Sequence, residues 1–384
     1  MAFELDFDTR AIQEEARAVA RQVAAFALEA DEASHIHQPT LDVLRASDLC
    51  SLMVPAAYGG RHERVDPLAV CVVREALMRA SSHLDSLFAL QGIGSYAIAL
   101  AGTDEQREEW LPRVARTEVL AALALTEPVA GSDLRGIETT LTDHGDEVEL
   151  NGAKSFISNA GAAGFYTTMV REENRFSLVL VPADAQGVSV EPSPEIIAPH
   201  VLGEVTFDGV RLPASARLGE AGTGFRHVLA TLSVFRISVA GAAVGLMDGA
   251  LSCAANHAAA REQFGRPLVR LGPVAGLLAD SWAELEATRL LAYATAEAAR
   301  EDPSAHLDRS SLAKLAATEA ASRVVDRCVQ VMGRWGLIRG SDIERYYRQA
   351  RPMRIYEGAS EVLRLGIASR LCDEVADRYG EEGE

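Results

Sequence analysis

Residues 147–158, EVELNGAKSFIS, decide the reading of the fold. Apolar and polar residues alternate on both sides of Asn151-Gly152, and an Asn-Gly pair between alternating segments predicts a two-stranded hairpin. Phe156, Ser158 and Asn159 would then belong to its second strand. There Phe156 could stack on a ring and Ser158 could hydrogen-bond to it. A core strand with one solvated serine is the plainer alternative. Downstream, FSLVLVPAD (176–184), GVSVEPS (187–193) and GEVTFDGVRLP (203–213) read as further strand–turn units.

The flanks of this β block are helical. Residues 11–30 place Ile12, Ala16, Val19, Val23 and Phe26 at three- and four-residue steps. Residues 66–79 and 84–101 are more uniformly apolar, as buried helices are. Thr103 and Gln106 form a capping-box pattern ahead of EEWLPRVAR. Past Gly222-Thr223-Gly224 the helical period returns over 225–262, 271–300 and 309–337. A last helix runs from near Ser360 to near Asp377, followed by a frayed tail, GEEGE. The predicted fold is multi-domain α+β. An N-terminal helical domain covers 1–120, a middle β domain 121–222 and a C-terminal helical bundle 223–384. The long apolar helices of the last part also suit packing against a second subunit.

Composition bounds the function. The 384 residues are 48% hydrophobic and 24% charged, enough for a sizeable core and too apolar for wholesale disorder. A net charge of -18 argues against nucleic acid or an anionic membrane as the main partner, because both are polyanions. Only two of the 37 basic residues are lysine, Lys154 and Lys314. The N-terminus lacks a basic start followed by an apolar core, so no signal peptide is expected. No uncharged run is expected to approach the ~20 residues of a membrane helix. The five cysteines are scattered without a CxxC pair, which fits reduced thiols and a cytoplasmic location. No metal-ligand spacing occurs.

Four segments could carry chemistry. LTEPVAGSD (125–133) offers exposed N–H groups and a hydroxyl at Gly131-Ser132, suited to a heterocycle or phosphate, or else simply a surface turn. NGAKSFISNAG (151–161) supplies Phe156 and Ser158. REQFGRPL (261–268) puts Arg261 at a helix C-terminus, where the dipole alone accounts for it and a phosphate clamp is the sharper reading. In 330–370, Glu357 stands between Tyr356 and Gly358 just ahead of a helix. Partly desolvated yet reachable, it could serve as a general base, or it could be an acid favouring the helix dipole. Arg339, Arg345, Arg348, Arg351 and Arg354 nearby read as a salt-bridged surface with Asp342 and Glu344.

In this order and spacing, LTEPVAGSD, NGAKSFISNA, RxQFGxPL, QxxGxxG and RxxxIYEG resemble the acyl-CoA dehydrogenase family of flavoproteins over nearly the whole chain. The resemblance implies N-terminal helices, a middle β-barrel and a C-terminal four-helix-bundle-like domain. It also implies a homotetramer holding FAD without a covalent bond, partly across a subunit interface. By carry-over, Thr126, Gly131, Ser132, Phe156 and Ser158 would meet the flavin. Arg261 and Phe264 would reach the ADP part of a neighbouring subunit's cofactor, joined by Gln330, Gly333 and Glu361. Ser132, Arg236, Tyr356 and Gly358 would border the substrate.

Glu357 matches the base of the commonest branch. It would take the α-proton of an acyl thioester while the β-hydrogen leaves as hydride to the flavin, with the backbone N–H at the glutamate and a ribityl hydroxyl stabilising the enolate oxygen. The other branch places its base just before the arginine matching Arg236, and here that residue is Phe235. Arg236 would orient local structure near Glu357. Phe156, Gly272, Arg334, Gln349 and Ala359 depart from the family pattern and suggest a specialised member, as in secondary metabolism. The acyl carrier would be CoA or a carrier protein, and the electron acceptor an electron-transferring flavoprotein or another acceptor. A flavin oxidase or monooxygenase on the same fold, and a non-catalytic scaffold, are the alternatives.

Overall fold

The structure, a computed structural model, describes residues 4–380. Six helices come first: α1 (Phe7–Val23), α2 (Ala27–Asp31), α3 (Gln38–Ala46), α4 (Pro67–Ala80), α5 (Ser82–Ala101) and α6 (Asp104–Ala115). Asp6 caps α1 by accepting from the Thr9 N–H at 2.7 Å. The helix expected over 11–30 is broken by a 3-10 turn at 24–26. The capping box at α6 is present: Gln106 Oε1 accepts from the Thr103 N–H at 2.8 Å, and Thr103 Oγ1 from the Gln106 N–H at 3.2 Å.

A curled seven-stranded sheet follows, built from β1 (Ala121–Ala124), β2 (Thr140–Asp143), β3 (Glu147–Ser158), β4 (Phe165–Glu172), β5 (Arg175–Pro182), β6 (Val188–Pro192) and β7 (Leu202–Pro213). Along one edge of β4, β1 pairs with it in parallel and β2 meets it further on at Thr140–Arg171, while β5 runs antiparallel along the other edge. From β2 the sheet continues through β3 and β7 to β6.

The hairpin expected at Asn151-Gly152 is not there. Residues 147–158 form one continuous strand, and the turn preceding it joins β2 to β3 at 144–146. Asn151-Gly152 instead faces a bulge, where β3 advances two residues and β7 three. Asn151 Oδ1 accepts from the Gly209 N–H at 2.8 Å, so the side chain satisfies a donor beside the bulge. Gly152 has φ +145°, and a Cβ there would lie 2.6 Å from the Thr139 Cα. The local signal was a real demand for glycine, met by close packing and not by chain reversal.

The helices resume with α7 (Gly224–Ala260), a two-residue hairpin of β8 (Glu262–Gln263) and β9 (Arg266–Pro267), then α8 (Gly272–Ala298), α9 (Leu307–Met332), α10 (Asp342–Ala350) and α11 (Ser360–Gly380). The tail expected to fray lies, past Gly380, outside the described residues. α7 is the central element. It packs on α4, α8 and α9, and Leu68, Cys71 and Val72 of α4 share one core with Val239, Ala243 and Val324. A second core of α1, α4 and α5 is closed by Val234 and Phe235 of α7. The first and last helical parts are therefore fused through α7.

The reading of apolar runs needs correction, since Ser86–Thr103 carries no charge at all. Two helices, Ser82–Ala101 and Gly224–Ala260, are long and apolar enough to cross a membrane. Their apolar windows are 67% and 83% buried inside the fold, which accounts for their composition as core helices.

Close approach of α4 and α7 depends on glycine. A Cβ at Gly245 would lie 2.0 Å from the Glu75 carbonyl oxygen, and one at Gly241 2.3 Å from that of Cys71. Glycine-to-alanine changes inside helices normally stabilise. Here overpacking against backbone reverses the sign, so Gly245→Ala is expected to cost roughly 1–3 kcal/mol. Thermal unfolding checks this: the midpoint falls, and a rise would refute the packing argument.

Candidate active site

Glu357 sits in the turn before α11 with φ +52°, followed by Gly358 at φ +109°. Left-handed backbone is unfavourable for glutamate, so the surroundings must impose it. Two cations do so. Arg236 of α7 donates from Nε to the Glu357 carbonyl oxygen at 2.8 Å, and Lys314 of α9 donates from Nζ to the Gly358 carbonyl oxygen at 2.7 Å. Arg236 also reaches Ser311 Oγ at 3.2 Å. A Cβ at Gly358 would meet Leu363 Cδ2 at 2.9 Å and an Arg236 terminal nitrogen at 3.1 Å, which adds crowding to a φ that already favours glycine.

The Glu357 side chain is held differently. Its Oε2 is buried and has no hydrogen-bond partner among the described residues. Burial pushes its carboxyl above the ordinary range. Arg74, Lys314 and Arg236 oppose the rise, Asp85 adds to it, and the net direction is upward. Burial also pulls Lys314 down to about 8. Arg74 and Asp85, from α4 and α5, form a buried bidentate pair at 2.9 and 2.7 Å.

A second set of residues gathers on the sheet. The Thr126 carbonyl oxygen accepts from the Ser155 N–H at 2.9 Å, which joins the 125–133 segment to β3. Behind it Lys154 is buried and bonds Glu127 at 2.7 Å and the Leu125 carbonyl oxygen at 3.1 Å. Burial lowers Lys154 to about 8 despite Glu127. An extra residue in β3 between Lys154 and Ile157 makes a bulge, and Phe156 on it takes φ +55°. Its N–H is taken up by Glu204 Oε1 at 3.3 Å, and its ring is left 50% exposed. Ser158 Oγ shares a hydrogen bond with His200 Nε2 at 2.9 Å. Burial lowers His200 to about 4, which keeps it neutral at neutral pH. Gly131 and Ser132 are exposed, and nothing lies within 4 Å of a Cβ at Gly131.

The remaining candidates lie elsewhere. Arg261 and Phe264 stand on the exposed β8–β9 hairpin, with Phe264 90% exposed. Arg261 follows Arg236 by 25 residues along α7, about 37 Å at 1.5 Å per residue. Gln330 and Gly333 are exposed at the far end of α9, Gln330 being 16 residues or about 24 Å beyond Lys314. Glu361 opens α11, exposed, 3.9 Å from Arg364.

The arginine run differs from a simple surface network. Arg345 is buried against Asp31 of α2 and bonds Asp342 at 3.0 Å; Arg348 pairs with Glu32 and Glu344, and Arg354 with Glu319. Gln349 Nε2 donates to Asp31 Oδ2 at 2.7 Å and Ser82 Oγ at 2.8 Å. An aspartate at 349 would face Asp31, so this departure has a local cause. No cluster of three metal-ligating side chains occurs among the described residues.

Arg74, Asp85, Lys314 and His200 escape sequence reading. One signal was available for Lys314. In a chain whose cations are nearly all arginine, both lysines are fully buried beside the proposed chemistry.

Three domain families match in register: acyl-CoA dehydrogenase N-terminal domain over 7–118, middle domain over 122–210 and C-terminal domain over 222–372. A cyclohexane-1-carbonyl-CoA dehydrogenase of Geobacter metallireducens is 30% identical, with 97% of this chain and 100% of that protein aligned. The chain belongs to the acyl-CoA dehydrogenase family. A subunit of the caffeyl-CoA reductase–Etf complex of Acetobacterium woodii is 32% identical over 89% of this chain and 92% of its own. Among solved structures, a glutaryl-CoA dehydrogenase from Mycobacterium smegmatis in complex with FADH2 superposes with TM-score 0.86 at 26% identity, covering 96% and 95% of the two chains. Membership in the acyl-CoA dehydrogenase family makes the protein an oxidoreductase.

The raised Glu357 carboxyl has a consequence for stability. The folded protein holds this proton more tightly than the unfolded chain, whose value lies near 4.5. Its contribution is present below that value and is lost as pH rises through the folded value. Glu357→Gln, which cannot ionise, should therefore unfold at a higher temperature than wild type at pH 8, with the gap closing by about pH 4. Equal midpoints across that range would contradict it.

Proposed function

We propose that the protein is an FAD-dependent dehydrogenase of acyl-CoA thioesters that introduces an α,β double bond, with Glu357 as the base. The observation that carries this is Glu357 itself: a buried carboxylate with one free oxygen, a raised pKa and a main chain fixed by Arg236 and Lys314. A thioester carbonyl acidifies the neighbouring carbon. A carboxylate whose proton affinity is raised by burial is the better acceptor for that proton. Clamping the 357 and 358 carbonyls turns this segment's peptide groups in a fixed direction. The fixed turn carries the Glu357 carboxyl, and the N–H at Glu357 would donate to the enolate oxygen.

The sheet residues fit a flavin. The exposed Phe156 ring stands two residues before Ser158 on β3, and neutral His200 holds the Ser158 hydroxyl without adding charge. Thr126, which is bonded to β3, and Gly131 and Ser132 of the same segment would meet the flavin as well, with open space at Gly131. When bound, FAD accepts the β-hydrogen with its electron pair. Tyr356, Gly358, Arg236 and Ser132 would border the thioester, and the cyclohexane-1-carbonyl-CoA, caffeyl-CoA and glutaryl-CoA relatives support CoA as its carrier.

Arg261 and Phe264 lie about 37 Å or more beyond Arg236 past the end of α7, and Gln330 and Gly333 about 24 Å or more beyond Lys314 towards the end of α9, far from the turn that carries Glu357. A homo-oligomer in which another copy supplies them accounts for an exposed phenylalanine on a hairpin. An electron-transferring flavoprotein is the proposed acceptor, in keeping with the relative named as part of an Etf complex.

Glu357→Gln should keep FAD yet slow bleaching of the oxidised flavin by acyl-CoA under anaerobic conditions about 10²–10⁴-fold. Bleaching at the wild-type rate removes Glu357 from the mechanism.

A further inference from the structure

The mechanism above leaves one buried charged pair without a task. Arg74 and Asp85 are 3% and 4% exposed. Arg74 spends Nε and one terminal nitrogen on Asp85, and its other terminal nitrogen donates to Ser238 Oγ at 2.9 Å. Ser238 donates in turn to the Phe235 carbonyl oxygen at 2.7 Å. Phe235, Arg236 and Ser238 occupy one turn of α7, and Arg236 holds the Glu357 carbonyl. The pair thus abuts the same turn of helix that fixes the base, and it acts electrostatically on both Tyr356 and Glu357.

Stability does not explain it. A buried ion pair loses solvation that its mutual attraction barely returns, and apolar replacements are often no worse. The surroundings could have been apolar: the Phe235 ring is fully buried, lies edge-on to Tyr96 at 5.8 Å, and packs so closely on Gly92 that a Cβ there would be 2.4 Å from its Cζ. That ring fills the space between α5 and α7, one residue before Arg236 and three before Ser238, so the pair is the polar element left at this turn.

Hydrogen-bond arithmetic defines what the pair accepts. Guanidinium has five N–H donors, and three are used; carboxylate has about four acceptor sites, and two are used. What remains is both donor and acceptor, with little net charge. A carboxylate ligand would meet Asp85, and a cationic one would meet Arg74, Arg236 and Lys314.

We propose that the Arg74–Asp85 pair closes the acyl pocket and selects a short acyl group bearing an uncharged group that both donates and accepts, a hydroxyl foremost. The proposal rests on the acyl-thioester reading of the Glu357 site. The hydroxyl accepts from a spare Arg74 N–H and donates to Asp85.

The test uses FAD-loaded enzyme with butanoyl- and pentanoyl-CoA, their ω-hydroxy counterparts, and succinyl- and glutaryl-CoA. Flavin bleaching gives kcat/KM, and calorimetric titration of the Glu357→Gln holoenzyme gives Kd without turnover. We expect an ω-hydroxy chain to exceed its plain partner at least tenfold in both. The advantage should disappear in the Arg74→Met, Asp85→Leu double variant, with folding checked by its melting curve. Should that variant not fold, Ser238→Ala, which frees one Arg74 donor, should shift the hydroxy-to-plain ratio by itself. Bleaching by all chains without a hydroxy preference, or a preference for the carboxylates, overturns the proposal and leaves the dehydrogenase reading intact. A hydroxy preference in Kd with no bleaching by any thioester does the reverse.

Discussion

The turn at 356–358 cannot hold its own shape. It asks a glutamate to adopt left-handed backbone and then a glycine with positive φ to follow it, and the two carbonyl clamps from Arg236 and Lys314 hold it there. Those cations come from α7 and α9, whose mutual packing is the most extensive helix contact in the molecule. The geometry of Glu357 is thereby tied to the central core. Anything that shifts α7 against α9 moves the two clamps relative to each other before it touches Glu357. The glycines that let α4 lie on α7 serve the same end, since α4 carries Arg74.

Electrostatics at this turn is a balance between two large opposed effects. Burial alone would leave the Glu357 carboxyl neutral. Three cations alone would hold it firmly ionised. Their combination leaves it raised, with burial the larger effect. The cations achieve this while being bonded to other groups: Arg236 and Lys314 to main-chain carbonyls and Arg74 to Asp85. None occupies the carboxylate directly, which is why Oε2 remains open. The sheet side follows a related logic with less charge, where desolvation keeps His200 neutral beside Ser158 and Lys154 is paid for by Glu127.

Sequence periodicity made the helices and the order of helix, sheet and helix legible, because amphipathic and apolar repeats follow from which faces are buried. Asn151-Gly152 shows where that reading stops. The pair carries the residue preferences of a tight turn, yet pairing with β7 and the approach of Thr139 use them for a bulge in a continuous strand. Glu357, Phe156 and Ser158 could be picked out because each lies in a short distinctive segment. Lys314, Arg74 and Asp85 could not, since each looks like an ordinary helix residue and gains its meaning only where α4, α5, α7 and α9 converge. Arg345 failed in the opposite direction: its nearest acids in sequence suggested a surface pair, while its deeper partner, Asp31, lies on α2.

The distribution of lysine carries a further meaning. Lys154 and Lys314 are the only side-chain amines in the protein, and both are fully buried. Of the lysine and arginine side chains, those that face solvent are therefore all guanidinium groups, which stay protonated and do not attack carbonyl carbon at neutral pH. Thioesters acylate exposed ε-amines without any catalyst. With the proposed function, an outer surface that offers no lysine nucleophile would shield the protein from slow acylation of its side-chain amines by its own thioester substrates.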